Sequence, residues 1–207
     1  SKRNILFGKT SYDGDYKYSD SASNNKIKRL NNYLDQFFLA VDRQFVVRED
    51  FIVNMFTLKT ENIRGAAGST SFPSLNATRT DDFELFALSF NKFFDNGSLD
   101  LYMNRSNNYQ EFDDSEGSFP VYSEHELDYS SFGVKGKQSI NSSFNYETVF
   151  NIKSERVDSS ELNKKELETT SFSFLGNYVN LENDFKVSPT LRYDSRKENK
   201  KSTYNLG

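Results

Sequence analysis

The chain has 207 residues, with 26 Lys and Arg against 30 Asp and Glu for a formal net charge of −4, no Cys, one His, and a ring-rich content of 12 Tyr and 20 Phe without Trp. Its longest apolar run is the five residues from Phe37 to Val41, far short of the roughly 20 that a spanning helix needs, and the lack of Cys excludes a disulfide framework, a thiolate metal site and a Cys nucleophile. The slightly acidic balance argues against a nucleic-acid binder, which needs a clustered basic surface. Disordered chains are poor in rings, so this composition implies that rings are buried against something.

Taken in order, two-residue periodicity predicts about nine strands, near 2–10, 29–41, 49–59, 81–94, 98–109, 124–135, 138–153, 168–180 and 184–195. Leu99, Leu101 and Met103 alternate with Asp100, Tyr102 and Asn104. The clearest run is Ser139 to Lys153, where Ile140, Phe144, Tyr146, Phe150 and Ile152 hold one face and Ser, Asn, Glu and Lys the other. These apolar residues are expected on the same side of the sheet as Leu99, Leu101 and Met103. Phe185, Val187, Pro189, Leu191 and Tyr193 repeat the pattern, although a proline cannot donate to a ladder. Helical spacing occurs only briefly, at Ser160 to Glu168. The fold class is all-β, an antiparallel meander spanning residues 1–207 as a single unit.

Tight turns are expected at Asp95-Asn96-Gly97, at Gly136-Lys137 and at 181–183. Long connections are expected at 11–28, 60–80, 110–123, 154–167 and 196–207. Short and long alternate, which places all tight turns at one rim and all long loops at the other, as in transmembrane β-barrels. Rings concentrated on one face and polar residues on the other fit lipid outside and a hydrated lumen inside. A soluble sandwich or open sheet with one wet face also alternates, and stays open as a reading. Nine strands would leave the first and last running the same way, so the sheet is expected to stay open, with edges near 2–10 and 184–195.

Residues that could carry chemistry are few. His125 stands between Glu124 and Glu126, but neighbours on a strand point to opposite faces and cannot converge on one ion. Gly65 to Thr70 lacks the lysine and the helix of a phosphate loop. Asp113-Asp114-Ser115-Glu116-Gly117 could offer oxygens to Ca²⁺, without the EF-hand spacing. The four Asn-x-Ser/Thr sequons, at Asn76, Asn96, Asn104 and Asn141, are as many as chance supplies. The charge runs Lys26 to Arg29 and Arg196 to Lys201 read as solvated loops. Nothing points to an enzyme, a catalytic residue, a cofactor or a resident metal.

Three features resemble the barrel of TonB-dependent outer-membrane receptors. They are Gly14-Asp15-Tyr16-Lys17-Tyr18 with Arg29-Leu30-Asn31-Asn32; the glycine-rich stretch Asn62 to Pro73 followed by Ala77-Thr78-Arg79; and the repeated aromatic hairpins. Ala67 stands where members often have proline. The resemblance implies an outer-membrane location in a Gram-negative bacterium and import of a siderophore, cobalamin or similar large nutrient. It also implies a plug domain and a TonB system as partners in the full-length protein, with outer-membrane lipid around a barrel of about 22 strands. This chain would supply about nine of those, with the loops at 11–28, 60–80 and 110–123 facing the ligand. A complete small porin or anchor barrel, and a soluble adhesion or carbohydrate-binding β-domain, are the alternatives.

Overall fold

The computed structural model describes residues 1–19, 26–68, 74–117, 119–162, 164–180, 185–196 and 200–206. The strands are β1 (Lys2–Tyr12), β2 (Tyr16–Ser19), β3 (Lys26–Arg29), β4 (Leu34–Arg48), β5 (Phe51–Gly65), β6 (Thr78–Phe94), β7 (Gly97–Asp114), β8 (Val121–Ser139), β9 (Phe144–Ser159), β10 (Lys165–Asn180), β11 (Phe185–Val187), β12 (Pro189–Arg196) and β13 (Lys200–Leu206). They form one sheet in the order β1-β4-β5-β6-β7-β8-β9-β10-β12-β13, with β11 also on β10, and β2 and β3 pair as a separate hairpin. Every pairing is antiparallel. The all-β antiparallel meander read from the sequence is therefore the observed fold, and β1 and β13 are not paired with each other.

Several boundaries differ from the expectation. Gly136 and Lys137 do not turn. They lie inside β8, opposite Leu99 and Ser98, and the chain reverses instead at 140–143, where the Asn141 side chain accepts from the Ser143 and Phe144 amides at 2.9 and 2.8 Å. This is an Asx-type turn, in which a side-chain carbonyl does the work expected of glycine. Ile140 consequently sits in the turn and not on the strand face. The expected loops 60–80, 110–123 and 154–167 shrink to 66–77, 115–120 and 160–164, because their polar ends continue the ladders. The loop expected at 11–28 contains the hairpin of β2 and β3. Turn 181–183 lies outside the described residues. Pro189 opens β12, a position that needs no donor, and the strand break at Ser188 separates β11 from β12.

A strand also appears where a loop was expected, at β13. The main path thus has ten strands, and its far edge is 200–206 and not 184–195. With an even number, β1 and β13 run in opposite senses, so the parity argument against closure no longer applies. The connections at 49–50, 95–96 and 140–143 lie at one rim, called here the turn rim. Those at 13–33, 66–77, 115–120 and 160–164 lie at the other, the loop rim.

The sheet is one layer thick. Its accessible surface is 14539 Å² for 23.9 kDa, whereas a compact monomer of that mass exposes ~9,900 Å². Among the described residues only Ala67 and Ala77 are buried apolar side chains, and no large side chain is fully buried. The strands are held by their ladders and by cross-strand side chains. Tyr102 lies against Gly133, directly opposite it, and Phe38 against Gly8, so a ring covers the strand where glycine leaves room. Gly97 follows the Asp95-Asn96 turn, and a Cβ there would come within 2.2 Å of the Lys137 carbonyl. Gly97→Ala should therefore destabilise the β6–β7–β8 region by roughly 1–3 kcal/mol, since backbone and not a side-chain tip must move. A lowered midpoint in equilibrium urea unfolding measures it.

Candidate functional site: an apolar band and a polar wall

Residues opposed in a ladder share a face, so the registers sort every side chain to one of two sides. On one side, rows cross the sheet as Met55–Leu88–Met103–Phe132–Ile152 and Val53–Phe90–Leu101–Val134–Phe150–Phe172–Tyr193. Phe144 and Tyr146 continue this face toward the turn rim. Phe144, Tyr146, Phe150 and Ile152 thus share a side with Leu99, Leu101 and Met103, as their alternation predicted.

This apolar side is the more exposed one. Leu101 is 36%, Phe132 45% and Phe7 74% exposed, while Ser131 on the opposite side, beside Phe132, is 7% exposed. The distribution is inverted relative to a soluble protein, whose apolar side chains lie in the less accessible positions. From Phe144 to Ile152 the band is eight residue steps tall, roughly 27 Å along the strand.

Above the band the same face becomes charged. The row Lys59–Glu84–Asn107–Asp128–Arg156–Glu166 lies in continuous register over six strands. Lys59 bridges Glu61 and Glu84 at 2.9 Å each, and Asn107 donates to Glu126 at 2.7 Å and Asp128 at 3.1 Å. Asp128 also lies 3.9 Å from Arg105 and 4.0 Å from Arg156. Further toward the loop rim, Tyr122 donates to Glu124 at 3.0 Å and Tyr109 to Glu111 at 2.7 Å. The sequence reading missed this row. Its signal was present in each strand as a switch from apolar to charged residues at alternate positions, but aligning those switches needs the register.

The upper edge of the band drifts across the ladder rows. It reaches Phe7 on β1 and Leu39 on β4, in the row of Lys59, but only Phe172 on β10 and Tyr193 on β12, in the row of Val53. Lys59 to Val53 is six residues, spread over the eight strand-to-strand steps from β1 to β12. At ~3.4 Å per residue and ~4.8 Å per strand, the band is inclined to the rows by about 28°.

The less exposed side is a polar wall. Gln44 donates to Asn54 at 3.0 Å, Asn54 to Asn91 at 2.8 Å, and Asn91 to Asp100 at 2.9 Å, a chain across β4 to β7. Lys135 and Lys137 pair with Glu147 at 3.1 and 3.3 Å, Ser131 donates to Asn104 at 3.0 Å, and Arg192 pairs with Asp194 at 2.9 Å. At the turn rim of the apolar side, Lys92 in the row of Leu99 hydrogen-bonds the Asp50 carboxyl and holds it below its ordinary carboxylate range.

The stretches marked by the sequence as ligand-facing meet at the loop rim. Asn31, with a left-handed φ of 63°, donates to the Ala77 carbonyl at 2.6 Å and the Ser74 carbonyl at 3.3 Å. The Ser74 hydroxyl donates to Asp114 at 2.6 Å and accepts from the Ala77 amide at 3.2 Å. Asn76 donates to Glu116 at 2.6 Å, and the Arg29 guanidinium donates to the Gly68 carbonyl. Gly65 packs on Asn31, where a Cβ would meet the Asn31 carbonyl at 2.4 Å. The two glycine-bearing stretches singled out in the sequence are thus fastened together, with Ala67, Ser74 and Ala77 buried between them.

The acidic stretch at 113–117 does not converge on an ion site. Asp113 accepts from the Ser115 amide at 2.9 Å, while Asp114 and Glu116 are held by Ser74 and Asn76, and no group of three metal-ligating side chains occurs among the described residues. His125 faces the polar wall, 2.7 Å from the Ser159 hydroxyl, with Glu124 and Glu126 on the opposite side. No protein-family model matches the chain, and no curated protein sequence matches it significantly.

Ser74→Ala removes a donor and an acceptor from the buried knot, leaving Asp114 and the Ala77 amide unpaired at a cost of about 1–3 kcal/mol. Faster proteolytic nicking within 66–77, with unchanged hydrogen-exchange protection in β5 to β9, is the expected result.

Proposed function

We propose that the chain is the wall of a transmembrane β-barrel in the outer membrane of a Gram-negative bacterium, with the apolar side facing lipid and the polar wall facing a hydrated lumen. The observation that carries this reading is the apolar band on the more exposed face, ended by a continuous charged row. Its roughly 27 Å along the strand, about 24 Å once projected through the inclination of about 28°, compares with the ≈ 25 Å outward-facing band of such barrels. Its inclination of about 28° to the ladder rows lies just below the 35–45° strand tilt that barrel closure imposes, because a band level with the membrane must cross tilted rows obliquely. Tight connections at one rim and longer ones at the other agree with this orientation, the turn rim being periplasmic.

Within that class, the resemblance of the fastened loop-rim stretches to TonB-dependent receptors favours a transport barrel that imports a large nutrient such as a siderophore or cobalamin. The barrel has no chemistry of its own. Ligand is taken up at the loop rim and passes along the lumen wall when a plug is moved by the TonB system. The free edges at β1 and β13 suit a segment continued by further strands. One observation favours a second reading, a complete small barrel: the even count of ten strands allows β1 and β13 to pair antiparallel.

The membrane reading is tested by charge placement. Leu101→Lys puts an ammonium at mid-band and should reduce membrane insertion by about 2–4 kcal/mol, whereas Asn104→Asp on the polar wall, which adds a charge but keeps the oxygen that accepts from Ser131, should leave it nearly unchanged. Folded fraction in lipid vesicles is the measurement, and equal effects of the two variants would contradict the assignment of faces. The two barrel readings separate on a semi-native gel. The segment reading expects the 207 residues alone to give no heat-modifiable monomer; a heat-modifiable monomer selects the complete small barrel.

A further inference from the structure

Near the turn rim the apolar band is interrupted, by Lys92 in the register row of Leu99 and by a recess beside that row. There, Gly97 and Gly136 lie diagonally in adjoining rows of the outward face, Gly97 between Phe94 and Gln138 and Gly136 between Leu99 and Thr148, and with Tyr146 they bound a groove of about 310 Å³. Gly97 is required by the close Lys137 carbonyl, but Gly136 has no such reason. Its φ is not left-handed, and a Cβ there would meet only the Thr148 hydroxyl, at 3.2 Å. A glycine inside a strand weakens it, and such a glycine often marks a bulge, a bend or the close approach of a ligand; no bulge or bend interrupts the ladders at Gly136.

The groove is more polar at its rim end, where Asn96, Gln138 and Tyr146 line it beside Phe94, than at its mid-band end. At the turn rim the Tyr146 hydroxyl donates to Gln138 at 2.7 Å, an arrangement that leaves the Gln138 amide nitrogen and a Tyr146 lone pair to engage further groups. Toward mid-band the walls are Leu99, the backbone of Gly136 and Thr148, and the groove opens into the apolar row Phe90–Leu101–Val134–Phe150. Its volume is at the lower end of the range for small-molecule sites, enough for part of one chain and not for a folded partner.

Resting on the membrane reading above, we propose that this groove is a specific site for one acyl chain of a phospholipid in the leaflet on the turn-rim side, with its head group at Tyr146 and Gln138. The occupant follows from the polarity gradient, which runs in the same direction as that of a lipid molecule, and from the groove's continuity with the band. The absent Gly136 side chain makes room for the chain's upper methylenes.

The chain has no Trp, so an introduced indole is its sole such fluorophore. In the full chain reconstituted into phosphatidylethanolamine/phosphatidylglycerol vesicles, Phe94→Trp, a ring for a ring at the groove's flank, reports the groove and Phe172→Trp the smooth band. Dibrominated phosphatidylethanolamine should quench Phe94→Trp with a relative affinity about threefold or more above that for Phe172→Trp. Adding Gly136→Leu should remove that excess while leaving Phe172→Trp quenching unchanged, which shows that the fold persists; Gly136→Ala, which leaves most of the groove open, should keep it. Equal quenching at both positions, insensitive to Gly136→Leu, would overturn the site and leave only general lipid contact. No quenching at either position would overturn the membrane reading itself, and the site with it.

Discussion

The structure depends on lateral hydrogen bonding within a single layer. No second sheet and no helix packs on either face among the described residues, so there is no dry core to hold the strands together. Each backbone donor and acceptor inside the meander is satisfied by the strand beside it. Stability therefore scales with ladder length, and the long strands from β4 to β10 supply it. Such a layer leaves two faces to be covered by whatever surrounds it. The amino-acid pattern has assigned them opposite environments, large apolar groups on the more open side and hydrogen-bonded amides and ion pairs on the more enclosed one. That assignment is what the proposed membrane setting explains, since hydrocarbon accepts the first and a wet interior the second.

The sequence disclosed the faces better than the turns. Alternation in Leu99 to Met103 and Phe144 to Ile152 set those residues on one side even though the turn between β8 and β9 was misplaced by about five residues. A burial pattern of period two specifies the face of a strand independently of how its ends are joined. Gly136-Lys137 misled because glycine followed by a polar residue is a turn signal, whereas here it lies in the ladder and the reversal belongs to Asn141. Loop lengths were overestimated for a related reason. Beyond the charged row both faces are polar, so Gln110 to Asp114 and Val121 to Ser123 look like loop by composition while their backbones pair without interruption. β13 was hidden in the same way.

The candidate site was legible in part. The rim stretches around Gly14, Asn31 and Gly65 to Ala77 stood out in the sequence, but their fastening by Asn31 and Ser74 links residues some 40 positions apart and is carried by geometry alone. The charged row and the outward groove depend on register across six strands and four strands respectively, and no local pattern encodes either. The acidic stretch at 113–117 looked like a possible cation site because carboxylates close in sequence resemble carboxylates close in space. Here each one is turned to a different donor.

The ladders of β7 and β8 continue from the charged row at Asn107 and Asp128 to Asp114 and Val121, seven residues past that row, and β5, β6, β9 and β10 flank them over much of that length. This upper section behaves mechanically as a stiff palisade, because bending it would shear several parallel lines of hydrogen bonds at once. The connections that cap it between β7 and β8 and between β9 and β10 are only five or six residues long and have little slack. The outline of the opening is consequently encoded in strand length and stagger. Insertions in the strands would reshape it, two residues at a time, more than substitutions in the loops.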